Sequence, residues 1–239
     1  MPMPLPPSDV KAVAADCNRG ADGYRVFIDF DNTITCGDVL DGIIEKFAID
    51  DRWRALEEDW AAGRIGARAC LEGQLSVLRA SWPALVQHLD GIRLDPGFAA
   101  LRDLLRRERV ELTVVSDNFD LFVGHILQQQ GLGDVAYRAN HLEIAADRLL
   151  PSFPFGNPDC PDCAHCKKIH FLPPHHDARQ VIFIGDGRSD ICPARHADIV
   201  FAKTGLLSYL QGAKIPCLAY DDLTGVVATL KRRLHENKI

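Results

Sequence analysis

The chain predicts an α/β fold built on a doubly wound, mostly parallel sheet, with a small all-helical unit inserted after the first strand. Three observations carry this. Short β-branched runs (Val26 to Ile28, Val110 to Val115, Val181 to Ile184) alternate with segments of helical period, as expected of strands covered on both faces by crossover helices. Each run opens into a polar cluster: Asp29 and Asp31 after the first, Ser116 after the second, Asp186 and Asp190 after the third. Between the first and second runs lies a long stretch of helical spacing with no β-rich segment.

Taken in order, residues 1–23 are Pro-rich, then Ala-rich, with no apolar core of secretory type, and read as a loosely ordered tail on a cytoplasmic protein. After the first strand, Leu40, Ile43, Ile44 and Phe47 mark a helix over Asp38 to Ala48, with Asp38 in its first turn, where the helix dipole favours an anion. Helical spacing continues through Trp53, Leu56, Trp60, Leu71, Leu75 and Leu78, broken at Gly63, Gly66 and before Pro83. The helical unit is therefore expected over 37–92, as a cap on an α/β core made of 24–36 and 93–239. Leu94-Asp95-Pro96-Gly97-Phe98 reads as a turn into a helix ending near Arg107. A second strand follows to Val115, then a helix through Leu121, Phe122 and Ile126, then strand-like pieces at Val135 to Arg138 and Leu142 to Ala145. A loop rich in Pro and Cys is expected from Pro151 to Cys166, and a helix opening at Lys167. Val181 to Ile184, Ile199 to Ala202 and Cys217 to Ala219 complete the strands, and Leu223 to Leu234 closes the chain as an amphipathic helix.

With 239 residues, 47% hydrophobic and 25% charged, the composition is that of a globular protein with one full core and a smaller attached unit. The net charge of -6 argues against nucleic acid or an anionic membrane as the main partner, because those surfaces are met by Lys and Arg. Arg102, Arg106, Arg107 and Arg109 read as one solvated helix face, and no stretch approaches the ~20 apolar residues needed to span a bilayer. Of eight cysteines, Cys17, Cys36, Cys70, Cys192 and Cys217 are scattered, as buried small hydrophobes or surface thiols usually are. Cys160, Cys163 and Cys166 are clustered.

Alternation along a strand sends Asp29 and Asp31 to one side, and like charges that close call for a cation, a proton or hydrogen bonds. The other strand ends supply partners, since a doubly wound sheet gathers its strand ends at one edge. A carboxylate cluster suits Mg2+. A serine with free backbone N–H groups at a helix start suits phosphate. Lys167 or Lys168 would add positive charge. Metal, phosphate cradle and carboxylate nucleophile together describe phosphoryl transfer through an aspartyl-phosphate.

In order and spacing, the segments DFDNTIT, SDN, CKK and GDGRSD resemble the four motifs of the haloacid-dehalogenase-like superfamily, over residues 25 to about 230. The resemblance implies a Rossmann-like core, Mg2+ as cofactor, and Asp29 as nucleophile and metal ligand. Asp31 would be the acid/base that also lends its backbone carbonyl to the metal. Ser116 would bind the phosphoryl group, with Asn32, Asp117 and Asn118 beside it. Asp186 would be a metal ligand supported by Asp190. A carboxylate at Asp31 distinguishes the superfamily's phosphatases from its dehalogenases. Among the phosphatases, the chain resembles two neighbouring groups. One is the 2-hydroxy-3-keto-5-methylthiopentenyl-1-phosphate phosphatases of methionine salvage, through DFDNTIT, VVSDNFDLFV, Ala139 to His141 and the Cys-rich loop. The other is the phosphocholine/phosphoethanolamine phosphatases, through SDN and the Cys160, Cys163, Cys166 spacing. Both place the lysine directly after the last cysteine, which favours Lys167 over Lys168, whereas Ser116-Asp117-Asn118 departs from the Ser-Gly-Gly of the salvage enzymes. The expected activity is Mg2+-dependent hydrolysis of a small phosphate monoester. The alternatives are a phosphocholine-, phosphoethanolamine- or phosphoserine-type substrate, or a non-catalytic relative that binds phosphometabolites.

The paired C-x-x-C steps at Cys160, Cys163 and Cys166 have ligand spacing for zinc or iron, with His165 or His170 as a fourth ligand. The alternative is a loop of reduced thiols packed beside the motif lysine. Gly185-Asp186-Gly187 lacks the third glycine of a dinucleotide fingerprint. In the helical unit, Asp38, Asp41, Arg52, Arg64 and Arg68 are candidates to reach a leaving group, Trp53 and Trp60 read as core, and His175 and His176 as exposed loop.

Overall fold

The computed structural model describes residues 23–236 apart from Pro161, Pro174 and His176. The tail expected at the N-terminus lies outside these residues but for Gly23. The strands are β1 (Tyr24–Ile28), β2 (Glu111–Phe119), β3 (Ala136–Ala145), β4 (Arg148–Ser152), β5 (Gln180–Gly185), β6 (Ile199–Ala202) and β7 (Leu218–Ala219). They form one sheet in the order β4-β3-β2-β1-β5-β6-β7, parallel throughout except that β4 runs antiparallel to β3. The helices are α1 (Val39–Phe47), α2 (Arg52–Ala61), α3 (Ala67–Ser76), α4 (Trp82–Leu89), α5 (Phe98–Arg107), α6 (Asp120–Gln129), α7 (Ile191–Ala194), α8 (Thr204–Gly212) and α9 (Leu223–Glu236).

Strand alternation divides the core between the two faces of the sheet. Val26, Ile28, Ile182 and Ile184 pack with the apolar sides of α5, α6 and α9. Phe27, Val115, Val181 and Phe183 pack on the other face with Ala194, Leu206 and Leu210 of α7 and α8. Burying side chains of this size stabilises the fold by about 1.5–3 kcal/mol each, and the two-faced burial is why these strands read as continuous apolar runs. The sheet order reverses at β1, with β2 on one side and β5 on the other. Such a reversal opens a crevice at the strands' carboxyl ends.

Helices α1 to α4 fill the stretch between β1 and α5. The two segments joining them to the sheet run antiparallel and are paired: Thr35 bridges Leu94, the Cys36 amide donates to Arg93 O at 2.9 Å, and the Asp95 amide to Ile34 O at 2.7 Å. Just beyond, the Asp95 carboxylate accepts the Gly97 amide at 2.8 Å and the Leu223 amide at 3.2 Å, fastening the start of α5 to the start of α9. A Cβ on Gly97 would run into the backbone of Leu223 and Thr224, so only glycine permits this approach.

Three local expectations change. The two pieces around residue 140 are one strand, β3, whose first half pairs with β2 and whose second half pairs with β4. β4 itself falls partly where loop was expected. Its hairpin turns at Ala146, which adopts a left-handed φ of 58° without the Asn-Gly or Asp-Gly that usually signals such a turn. Pro151 is tolerated because β4 is an edge strand. The helix expected at Lys167 is a single 3-10 turn, Lys167–His170, with Pro173 three residues beyond it. Among the described residues no helix is long and apolar enough to cross a membrane.

Candidate active site

The turn after β1 is built by its own polar residues. The amides of Thr33, Ile34 and Thr35 converge on Phe30 O at 3.3, 2.8 and 3.0 Å, and the Asn32 amide donates to Thr35 Oγ1 at 3.2 Å. Asn32 holds a φ of 54°, a region that Asn enters more readily than most residues. This turn carries Asp29 and Asp31 off the end of the strand into the crevice.

Asp29 is buried, and its Oδ1 accepts a hydrogen bond from Lys167 Nζ at 2.7 Å. The same ammonium donates to Asp190 Oδ1 at 2.6 Å and to Ser189 Oγ at 3.1 Å. Lys167 is 1% exposed. Burial works against its charge, but Asp190, Asp29 and Asp117 outweigh that and hold the ammonium well above its ordinary range. Burial, then the charge of Asp190, pushes the Asp29 carboxyl well above the usual carboxylate range, with Lys167 opposing. Asp190 Oδ2 accepts the amides of Asp186 and Gly187 at 2.9 and 3.2 Å, so both its oxygens are engaged. Asp186 is held by Thr33 Oγ1, which donates to its Oδ1 at 3.2 Å, while Thr204 Oγ1 donates to its backbone carbonyl at 2.8 Å. Burial, reinforced by Asp190, raises the Asp186 carboxyl to about 6.

Asp31 sits apart from this cluster. Its Oδ1 accepts the Val39 amide at 2.9 Å, and both oxygens accept from Asn118 Nδ2 at 3.0 Å. Burial still lifts its carboxyl to about 6. A carboxyl in that range exchanges a proton near neutral pH, as an acid/base requires.

Oxygen atoms of Asp29, Asp186 and Asp190 lie within 4.8 Å of one another. Three carboxylates facing one buried ammonium leave negative charge unmatched, and oxygen donors at this spacing fit a hard divalent cation such as Mg2+. Asp29 and Asp186 have oxygens to offer it, whereas Asp190 is tied to Lys167 and the backbone.

The remaining candidates are placed as follows. Ser116 is fully buried at the end of β2, and its Oγ accepts the Asn118 amide at 3.0 Å. The register of β2 shifts between Val115 and Phe119, a bulge that re-aims these side chains. The Asp117 carboxylate is engaged by the backbone, accepting the His165 amide at 2.8 Å. Lys168 faces the cysteine sulfurs instead: burial works against its charge, but Cys192, Cys166 and Cys160 outweigh that and raise its pKa. Arg52, Arg64 and Arg68 form exposed ion pairs with Asp50, Asp59 and Glu72. Asp38 caps α1 by accepting the Asp41 amide at 2.9 Å, and burial, then the charge of Asp31, pushes its carboxyl well up. His165 is no ligand for the cysteine loop, because its ring nitrogens meet Ser116 O at 2.8 Å and His170 Nε2 at 2.6 Å. His176 lies outside the described residues.

Sequence reasoning missed Thr33 and Thr204 on Asp186, and Cys192, whose Sγ stands 4.0 Å from Cys160 Sγ. It also missed Arg188, whose guanidinium donates to Ala61 O at 2.6 Å and lies over the Trp60 ring, docking the end of α2 beside the β5 turn. Thr33 and Arg188 had a sequence signal, lying within the first and fourth motifs; Thr204 and Cys192 had none.

The chain belongs to the haloacid dehalogenase-like hydrolases, whose family model matches residues 26–195. Within that family it falls among the phosphatases. It is 30% identical, over 87% of its length and 95% of the relative's, to the 2-hydroxy-3-keto-5-methylthiopentenyl-1-phosphate phosphatase of Brevibacillus brevis. It is 27% identical, over 89% and 95%, to a polyol phosphate phosphatase of Saccharomyces cerevisiae. Its fold matches a phosphoserine phosphatase solved as a phospho-aspartyl intermediate analogue, with TM-score 0.63, 18% identity, and coverage of 85% of this chain and 97% of that one.

Proposed function

We propose that the protein is a Mg2+-dependent phosphomonoesterase that hydrolyses a small phosphorylated metabolite through an aspartyl-phosphate at Asp29. The observation that carries this is the contrast between two neighbouring carboxyls. Asp29 lies against a buried ammonium at 2.7 Å, while Asp31, free of that contact and fastened by Asn118, is poised near 6. The ammonium favours and orients the Asp29 anion against the burial that opposes it, which suits nucleophilic attack, while a carboxyl that titrates near neutrality suits proton transfer.

In this reading an Asp29 oxygen attacks phosphorus and the ester P–O bond breaks, with the proton of Asp31 passing to the departing alkoxide. Asp31, now anionic, takes a proton from water as that water attacks the aspartyl-phosphate, which regenerates Asp29 and releases phosphate. Lys167 neutralises charge and fixes the orientation of Asp29. Ser116, with Asn32, holds the phosphoryl oxygens, and Asn118 orients Asp31. Asp29, Asp186 and the Asp31 backbone carbonyl would hold Mg2+, with Asp190 in support, and the ion supplies electrostatic stabilisation of the transferring phosphoryl group. Helices α1 to α4 act as the cap over this crevice, with the paired segments at Thr35 and Leu94 as its stem and Asp38 facing the leaving group.

The first substrate to test is the methionine-salvage keto-enol phosphate named for the Brevibacillus relative, followed by polyol phosphates, phosphocholine, phosphoethanolamine and phosphoserine. We further propose that the enzyme acts in the cytoplasm. Phosphate release from this panel should require Mg2+ and stop on chelation. Asp29→Asn, which keeps the side-chain shape, should lower kcat by at least ~1,000-fold, about 4 kcal/mol at ~1.4 kcal/mol per tenfold. Equal turnover by Asp29→Asn would falsify the mechanism.

A further inference from the structure

Outside the carboxylate site, four sulfurs meet at one point. The loop before Lys167 brings Cys160, Cys163 and Cys166 together by short turns: the Cys160 amide donates to Asn157 O at 2.9 Å, the Cys163 amide to Cys160 O at 3.4 Å, and the Cys166 amide to Phe155 O at 2.9 Å. The fourth sulfur comes from Cys192 on α7. All four Sγ atoms lie within 4.8 Å of one another.

We propose that Cys160, Cys163, Cys166 and Cys192 bind one Zn2+ ion in a closed tetrathiolate centre. With Zn–S bonds of ~2.3 Å, tetrahedral geometry places the sulfurs ~3.8 Å apart, and the 3.2 Å from Cys160 to Cys163 and 4.0 Å from Cys160 to Cys192 bracket that value. The shorter of these separations is well beyond the ~2.05 Å of a disulfide. Four sulfur ligands exclude hard ions such as Mg2+ and suit zinc or iron, of which zinc is the proposed ion, and their number leaves no open position, so the ion is structural and takes no substrate.

Polar groups already face the sulfurs as an outer shell would. Asn157 Nδ2 donates to Cys166 Sγ at 3.7 Å, and the Lys168 ammonium stands beside Cys192. A zinc tetrathiolate is doubly negative, and N–H donors and a cation beside it offset that charge. Its position gives the ion a task. Cys166 immediately precedes Lys167 and Cys192 lies two residues after Asp190, so the ion would clip together the two segments that carry the buried Lys167–Asp190 pair.

The inference does not depend on the phosphatase reading, because its test reads metal content. Protein purified without chelator should carry one zinc per chain by elemental mass spectrometry. Cys163→Ser and Cys192→Ser should lose it, and Cys217→Ser, outside the cluster, should keep it. Should the ligand variants fail to fold, the wild-type chain decides. After zinc is exchanged for Co2+, it should show sulfur-to-cobalt charge-transfer bands and the intense visible bands of a tetrahedral cobalt thiolate. Absence of those bands, stoichiometric iron in place of zinc, or a Cys160–Cys163 disulfide in the freshly purified protein would overturn the proposal.

Discussion

Burial raises the Asp31 carboxyl, and the Val39 amide and the Asn118 side chain pull it back; of these only Asn118 can be removed by a side-chain substitution. Its amide donates to both Asp31 oxygens at 3.0 Å and so favours the anion. Without that donor the anion is less stable, and the Asp31 pKa climbs above its present value of about 6. A step that needs protonated Asp31 slows as pH rises through that pKa. In Asn118→Ala the falling limb of the kcat/KM profile should therefore move to higher pH by about one unit, from a hydrogen bond to a charged group worth ~1.5 kcal/mol. A limb that stays in place, or moves down, would show that another group titrates. Individual residues were unevenly legible. The position of the paired carboxylates after a strand could be read directly from the apolar run before them, but period-2 alternation does not set their side, because β1 stops at Ile28 and a turn carries Asp29 to Lys167 and Asp31 to Asn118. Lys167 and Lys168 could not be separated by the same means. Their distinction depends on a 3-10 turn that sends one ammonium into the carboxylates and the other toward the thiols.

At the scale of the element, β5 shows how a strand end is shaped to its purpose. A Cβ on Gly185 would stand 2.6 Å from Asp190 Cγ and 2.9 Å from Phe183 Cε1, so the missing side chain is what lets Asp190 fold back over the strand to reach Lys167. Gly185→Ala should drive Asp190 off the ammonium, leaving Lys167 with Asp29 and the buried Asp190 carboxylate without its cation, a loss of about 3–5 kcal/mol. In a thermal melt this should appear as a Tm lower by about 10 °C in a chain of this length, accompanied by loss of phosphate release. Wild-type Tm and activity would mean that the turn yields instead. Elements with a clear hydrophobic period, such as α1, α5 and α9, could be read from sequence alone. The β3–β4 hairpin could not, because its turn at Ala146 lacks the residues that announce one. The bulge in β2 that re-aims Ser116 and Asn118 has no sequence signature either.

Across the whole molecule, the buried acids link folding to pH and to the cation. Asp31 and Asp186 rest near 6 in the fold, against ~3.9 in an unfolded chain. The native state therefore binds these protons more tightly. Their stabilising contribution is complete below about pH 4 and is lost as pH rises through about 6. A cation bound at Asp29 and Asp186 replaces the lost protons, so the gain in Tm on adding Mg2+ should be larger near pH 8 than near pH 5. The reverse order in a thermal-shift series would contradict the cation site. The strand order carries no sequence signal, but the parallel, doubly wound class was legible at this scale, because three strands end in polar residues that such a sheet gathers at one edge. Cys192 was not. It lies twenty-six residues past Cys166 in another element, and only the packing of α7 against the Lys167 turn brings the two together. The sheet order also bears on how the chain is made. β1 leaves the ribosome first, yet it is the central strand, and its second neighbour begins only at Gln180. Until then β1 has one open edge, and Asp29 waits for the ammonium of Lys167. A nascent chain paused before that point has Asp29, Asp31, Asn118 and Lys167 but lacks Asp186 and Asp190, so the carboxylate cluster cannot close, and the unpaired edge is the part exposed to misassociation.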